Sequence, residues 1–180
     1  MQNVILGIAK HAIQDGFDGT STINTQALRE RYPEFSKPKA TFVTLTLEKQ
    51  LRGCIGSLIA HQAFLDDLIY NAKAAAFDDP RFYPLSPKEF LHVNIEVSLL
   101  STPEVVTYSD SEDLKSKITV GEDGIILQKG GRKATFLPQV WEQLPTFELF
   151  FSHLCQKAGL EANCLESHPD ISRYRVEKVK

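Results

Sequence analysis

No stretch of the 180 residues approaches the roughly 18 uninterrupted apolar residues that a membrane-spanning helix needs. Cysteine is scarce: Cys54, Cys155 and Cys164 form an odd, widely spaced set without a CxxC pair, which argues against a disulfide framework and against a structural zinc site. Charge of one sign is also missing. Twenty Lys and Arg against 23 Asp and Glu leave a net charge of −3, so no whole-chain positive field draws the protein to a phosphate backbone, and nucleic-acid binding is disfavoured. Residues 1–11 lack a basic segment followed by an apolar block and a small-residue cleavage site, so the expected compartment is the cytoplasm. GxSxG, HExxH, GxGxxG and the calcium-loop pattern are absent, as are internal repeats, so no standard hydrolase, zincin or dinucleotide site is announced.

What is present is globular composition, 42% hydrophobic and 24% charged, in a length suited to one domain. The stripe Val4, Ile5, Ile8, Ala9, Ala12 and Ile13 predicts an amphipathic helix stopped at Asp15-Gly16. Asn24 is positioned to cap a short helix that Pro33 ends. Residues 40–47 and 51–58 read as a hairpin, and Phe64, Leu65, Leu68, Ile69, Ala72 and Ala76 restore the helical period. Ser86-Pro87-Lys88-Glu89 has the form of a capping box. The run from His92 to Leu99 alternates polar and apolar residues as a strand with one polar face. Short strands at 118–120, 125–128 and 132–137, a helix from Phe147 and a last strand over 172–179 complete the chain. Short turns between neighbours favour α+β with a mainly antiparallel sheet flanked by helices.

The densest chemistry is Leu51-Arg52-Gly53-Cys54-Ile55-Gly56. Gly53 and Gly56 weaken a strand unless backbone, ligand or another element approaches closely there. On a regular strand Arg52 shares a face with Cys54, an arrangement that lowers a thiol pKa and makes a nucleophile; a buried, inert cysteine is the equal alternative. Asp79 and Arg81 in Asp78-Asp79-Pro80-Arg81-Phe82 offer either an anion-binding fork at a site rim or a pair that pins a loop. Glu96 and His92, spaced for one strand face, are suited in type to acid–base work. No metal-ligand set is apparent.

These segments, with Phe42-Val43-Thr44-Leu45, Asn71-Ala72, Glu96-Val97-Ser98-Leu99 and Phe136-Leu137-Pro138-Gln139-Val140-Trp141 in the same order, resemble the AMMECR family, whose hallmark is the hexapeptide from Leu51 to Gly56. The resemblance runs through nearly the whole chain. It implies a single domain over 1–180 with two unequal lobes, the larger about 1–104 plus 138–180 and the smaller, β-rich lobe about 105–137, and a groove between them near the hexapeptide. It names no reaction, cofactor or substrate. Because the family's domain is often encoded beside a Memo-like protein and a radical SAM protein, it implies these as partners. Two functions follow as expectations. In one, Cys54 is the reactive group of an enzyme or enzyme component, Arg52 and Glu96 assist it, and Gly53, Gly56, Asp79, Arg81 and His92 hold a small-molecule substrate. In the other, the domain is a non-catalytic binding or regulatory module for those partners.

Overall fold

The computed structural model describes residues 1–180, and the chain divides into two units, Met1–Leu100 with Glu177–Lys180, and Ser101–Val176. No helix is long and apolar enough to cross a membrane.

In the first unit, α1 (Gln2–Asp18) runs one turn further than its apolar stripe suggested. Asp15 does not stop it. Its buried carboxylate accepts from the Thr20 hydroxyl and from both the backbone N–H and hydroxyl of Thr22, which folds the following loop back on the helix. Gly16 serves contact rather than termination, because a Cβ there would lie 2.3 Å from the Phe77 ring. The stop is Gly19, in the left-handed region at φ 64°. After α2 (Thr25–Arg31), capped by Asn24, come β1 (Thr41–Leu47) and β2 (Gln50–Gly56). Glu48 and Lys49 both take positive φ in the turn between them, as a two-residue hairpin requires. Then follow α3 (Phe64–Phe77), the short α4 (Pro87–Phe90) with its full capping box, and β3 (Asn94–Leu100).

The sheet runs β2-β1-β3 and then the C-terminal strand Val176–Val179, so the chain's last residues return to the first unit. Val43, Leu45 and Val97 point from it into a core shared with Ile5, Ile13, Leu65 and Leu68 of α1 and α3. β3 begins two residues after His92, which lies exposed in the preceding turn with its N–H on the Glu89 carbonyl. The expected sharing of a strand face by His92 and Glu96 is therefore wrong: the backbone of residues 90–93 is occupied in leaving α4.

In the second unit β4 (Glu104–Val106), α5 (Ser111–Lys117), β5 (Gly124–Lys129), β6 (Arg132–Phe136), α6 (Phe147–Lys157) and β7 (Asp170–Tyr174) form a sheet ordered β4-β7-β5-β6 with α6 against β6. Residues 118–120 are not a strand, because the Asp123 carboxylate and N–H close a turn on Thr119. The strand expected over 172–179 divides at Arg175 into β7 and β8 (Val176–Val179), which join different sheets. Residues 138–176, expected in the larger lobe, belong with the second unit. The reason is packing: Phe150, Phe151 and Leu154 of α6 share one apolar cluster with Ile125 and Leu127 of β5.

Cys155 and Cys164 form a disulfide with Cα atoms 5.8 Å apart, a bond that the expectation against a disulfide framework did not include. Spacing in sequence hid it: Gly159, at φ 75°, turns the chain at the end of α6 and brings Cys164 back to the helix. A loop this short restricts the unfolded chain enough to contribute about 2 to 3 kcal/mol. Chemical denaturation of the chain carrying both Cys155→Ala and Cys164→Ala is expected to show that loss; an unchanged midpoint would mean that the bond adds nothing to stability.

Candidate functional site

β2 is an edge strand, and its outer edge is where the hexapeptide meets the rest of the first unit. The register with β1 pairs Leu45 with Gly53 but Thr46 with Leu51, so Arg52 is an extra residue in a β-bulge. This bulge breaks the alternation that would have set Arg52 beside Cys54. Instead Arg52 donates from Nε and Nη2 to both oxygens of Glu89, at 2.9 and 3.1 Å, and from Nη2 to the Pro84 carbonyl. Glu89 in turn accepts from the Ser86 N–H within the capping box. The Arg52 guanidinium, followed by that N–H, holds the Glu89 carboxyl down to about 2.

Cys54 is half-buried, and its Sγ lies 3.3 Å from the Thr44 hydroxyl directly across the hairpin. Its backbone faces outward. The Cys54 N–H donates to Asp79 at 2.9 Å, and its carbonyl accepts from Arg81 Nη2 at 3.4 Å, so the Asp79–Arg81 pair occupies this edge in place of a neighbouring strand. Asp79 is buried and takes a two-pronged contact from Arg81, at 3.0 and 2.8 Å, as well as the Arg81 backbone N–H. Those contacts, Arg81's side chain foremost, hold the Asp79 carboxyl far below the usual carboxylate range despite its burial. Asp79 and Arg81 thus pin a loop to the hexapeptide, the second of the two roles their sequence allowed.

The glycines answer to two different neighbours. A Cβ on Gly53 would lie 2.1 Å from the carbonyl oxygen of Ala75, so α3 crosses β2 here in backbone contact, through its alanine-rich end. Gly56 sits beneath the Phe42 ring, its cross-strand partner. Neither glycine presents itself to a substrate in this arrangement. Glu96 does share the Cys54 face, because Thr44 pairs with Cys54 on one side and with Glu96 on the other. Its carboxylate is held by Lys178 and Lys180.

One group escaped the sequence reading. Asp67, fully buried on α3, accepts from the Thr41 N–H and hydroxyl, the Ser57 hydroxyl, and the Asn71 and Gln62 amides. The network ties the residue after the hexapeptide to α3. Its signal was available: Asp67 and Asn71 are four apart on the helix face that Phe64 and Leu68 mark as buried.

Arg52, Arg81, Phe82, Tyr83, Pro80 and Pro84 line an open concavity of about 690 Å³, with Glu89 at its edge. The guanidinium carbons of Arg52 and Arg81 lie 5.8 and 5.5 Å from the Phe82 ring centre, so both cations stack on one aromatic ring. No group of three or more His, Cys, Asp or Glu side chains is placed to hold a metal ion.

The depressed carboxyls of Asp79 and Glu89 set a pH dependence. A group whose folded pKa lies below its ordinary value of about 4 contributes stability that is complete above that value and is lost as pH falls toward the folded pKa. The urea midpoint is expected to hold from pH 7 to about 5 and then fall between about 4 and 2, less steeply for Glu89→Gln. A midpoint flat down to about pH 2 would contradict these pairings.

Residues 6–179 match the AMMECR1 family model. The chain is 35% identical to a protein of Methanothermobacter thermautotrophicus over 179 residues, covering 96% of this chain and 89% of the relative. It is likewise 35% identical to a protein of Aquifex aeolicus over 167 residues, covering 89% and 82%. The fold is similar to the crystal structure of a Pyrococcus horikoshii protein described as uncharacterized, with TM-score 0.84, 31% identity and coverage of 97% of this chain and 88% of that one.

Proposed function

The chain belongs to the AMMECR1 family, and on that premise we propose that it is a binding module, with the hexapeptide as the frame of a recognition surface rather than a catalytic strand. The observation that carries this reading is the pairing of Arg52 with Glu89 and of Arg81 with Asp79, with both cations laid on Phe82. Such a lattice is rigid before anything binds, which lowers the entropic cost of association. The Cys54 thiol has the Thr44 hydroxyl as its hydrogen-bond partner, a poor proton acceptor at neutral pH, and the arginine expected to activate it is committed elsewhere. The partners we propose are the Memo-like and radical SAM proteins that the family resemblance implies, met in the cytoplasm. Both residues of the Cys155–Cys164 disulfide are buried, which slows its attack by a thiolate there.

A second reading, an enzyme component in which Cys54 reacts with a small-molecule substrate, draws on the row Cys54, Thr44 and Glu96 across three strands. Co-purification separates the two. Under the binding reading the untagged partners follow the tagged chain, and Cys54→Ala retains them. No association at micromolar concentrations would remove the binding reading; loss of activity of the three-protein system in Cys54→Ala, with folding and association intact, would establish the enzymatic one.

A further inference from the structure

The two arginines at the hexapeptide edge use their donors in the same way. Each guanidinium has five N–H groups; Arg52 and Arg81 both turn the Nε and Nη2 edge toward their carboxylates, and Nη2 also reaches a backbone carbonyl. The two N–H groups on each Nη1 have no hydrogen-bond partner, although both residues line the concavity beside Phe82. Arg81 is the more accessible, with a side chain 55% exposed against 13% for Arg52. Tyr83, 90% exposed, lines the same concavity with its ring uncovered. Pro80 and Pro84 bracket the segment and restrict its backbone.

We infer that this concavity takes an acidic peptide segment of a partner protein, with its carboxylates on the free Nη1 edges and an adjoining apolar side chain on Tyr83. The inference rests on the binding reading above and names the chemistry of its partner. Charge selects the class. Asp79 and Glu89 cancel the two positive charges locally, so the surface offers directed N–H donors without the net field that gathers a polyphosphate backbone. With Nε and Nη2 already engaged, each Nη1 offers a carboxylate oxygen a single charge-assisted N–H bond, and an aromatic platform adds contact area at small conformational cost.

The test is fluorescence anisotropy of the full chain with a fluorescein-labelled peptide of alternating glutamate and phenylalanine, and with its glutamine counterpart. Arg81→Lys keeps a cation for Asp79 while removing the Nη1 donors, and Tyr83→Ala alters an exposed side chain, so both variants are expected to fold. Sub-millimolar binding of the glutamate peptide is expected, about tenfold weaker for each variant and for the glutamine peptide. Millimolar inorganic phosphate should leave it in place. Equal binding by wild type and variants, displacement by phosphate, or no binding of the glutamate peptide would overturn the inference. If partners co-purify equally well with Tyr83→Ala, the acidic-peptide inference fails while the binding reading, which rests on the arginine pairs and Phe82, stands; if they do not co-purify with the wild-type chain, it is the binding reading that fails.

Discussion

Gly53→Ala is expected to destabilise the first unit by about 3 kcal/mol or more, at or beyond the upper end of what inserting one methyl into a packed site ordinarily costs. The reason lies in what the methyl would meet. Its carbon would fall 2.1 Å from the carbonyl oxygen of Ala75, a backbone atom in the last turns of α3, and backbone moves only if the helix or the strand moves. Displacing α3 would also disturb Ala72 and Ala76, packed in the same core as Leu68. Gly56→Ala provides the control. Its methyl would meet the root of the Phe42 ring at 2.2 Å, which demands a change of rotamer but no movement of backbone, so the loss should be smaller, about 2 kcal/mol. Thermal or urea unfolding of the two variants checks the order; equal losses would mean that the approach of α3 to β2 is not what requires Gly53.

Arg81→Ala is expected to lose about 3 kcal/mol, more than Asp79→Asn loses. Removing the arginine leaves a carboxylate that is almost wholly buried without its cation, the situation in which breaking a buried pair is most damaging. The figure sits at the low end of that range because the Arg81 side chain is half exposed and part of its attraction is screened by water. Asp79→Asn removes the charge and retains an oxygen that still accepts from the Cys54 N–H, so about 1 to 2 kcal/mol is expected. The double variant should lose less than the two single losses added together, since both report on one contact. A larger loss in Asp79→Asn than in Arg81→Ala would show that the loop is held by something other than this pair.

Much of this architecture was legible in the residues. The stripe from Val4 to Ile13, the Asn24 cap, the capping box at Ser86 and the alternation in Val93, Ile95, Val97 and Leu99 each carry a local rule, and the structure follows each with shifted boundaries. The glycines of the hexapeptide and the alanines of α3 both signalled close approach, and Gly53 proves to meet Ala75. What the residues did not reveal depended on contacts distant in sequence or on a break in periodicity. The bulge at Arg52 cancels the alternation from which its pairing with Cys54 was inferred, and Glu89, read as a cap, is also the residue that holds Arg52. The disulfide was missed for a similar reason, since only the turn at Gly159 sets Cys164 against α6.

The central claim is that the hexapeptide frames a binding surface and that the thiol within it is dispensable. Titration calorimetry of the Memo-like partner into three chains, wild type, Cys54→Ala and Arg81→Lys, tests it most directly. The account predicts that Cys54→Ala binds as the wild type does, and that Arg81→Lys, still folded at the measuring temperature though less stable for want of the two-pronged contact with Asp79, binds about tenfold more weakly. The reverse pattern, with binding lost in Cys54→Ala and kept in Arg81→Lys, would contradict it and return the thiol to the centre of the site.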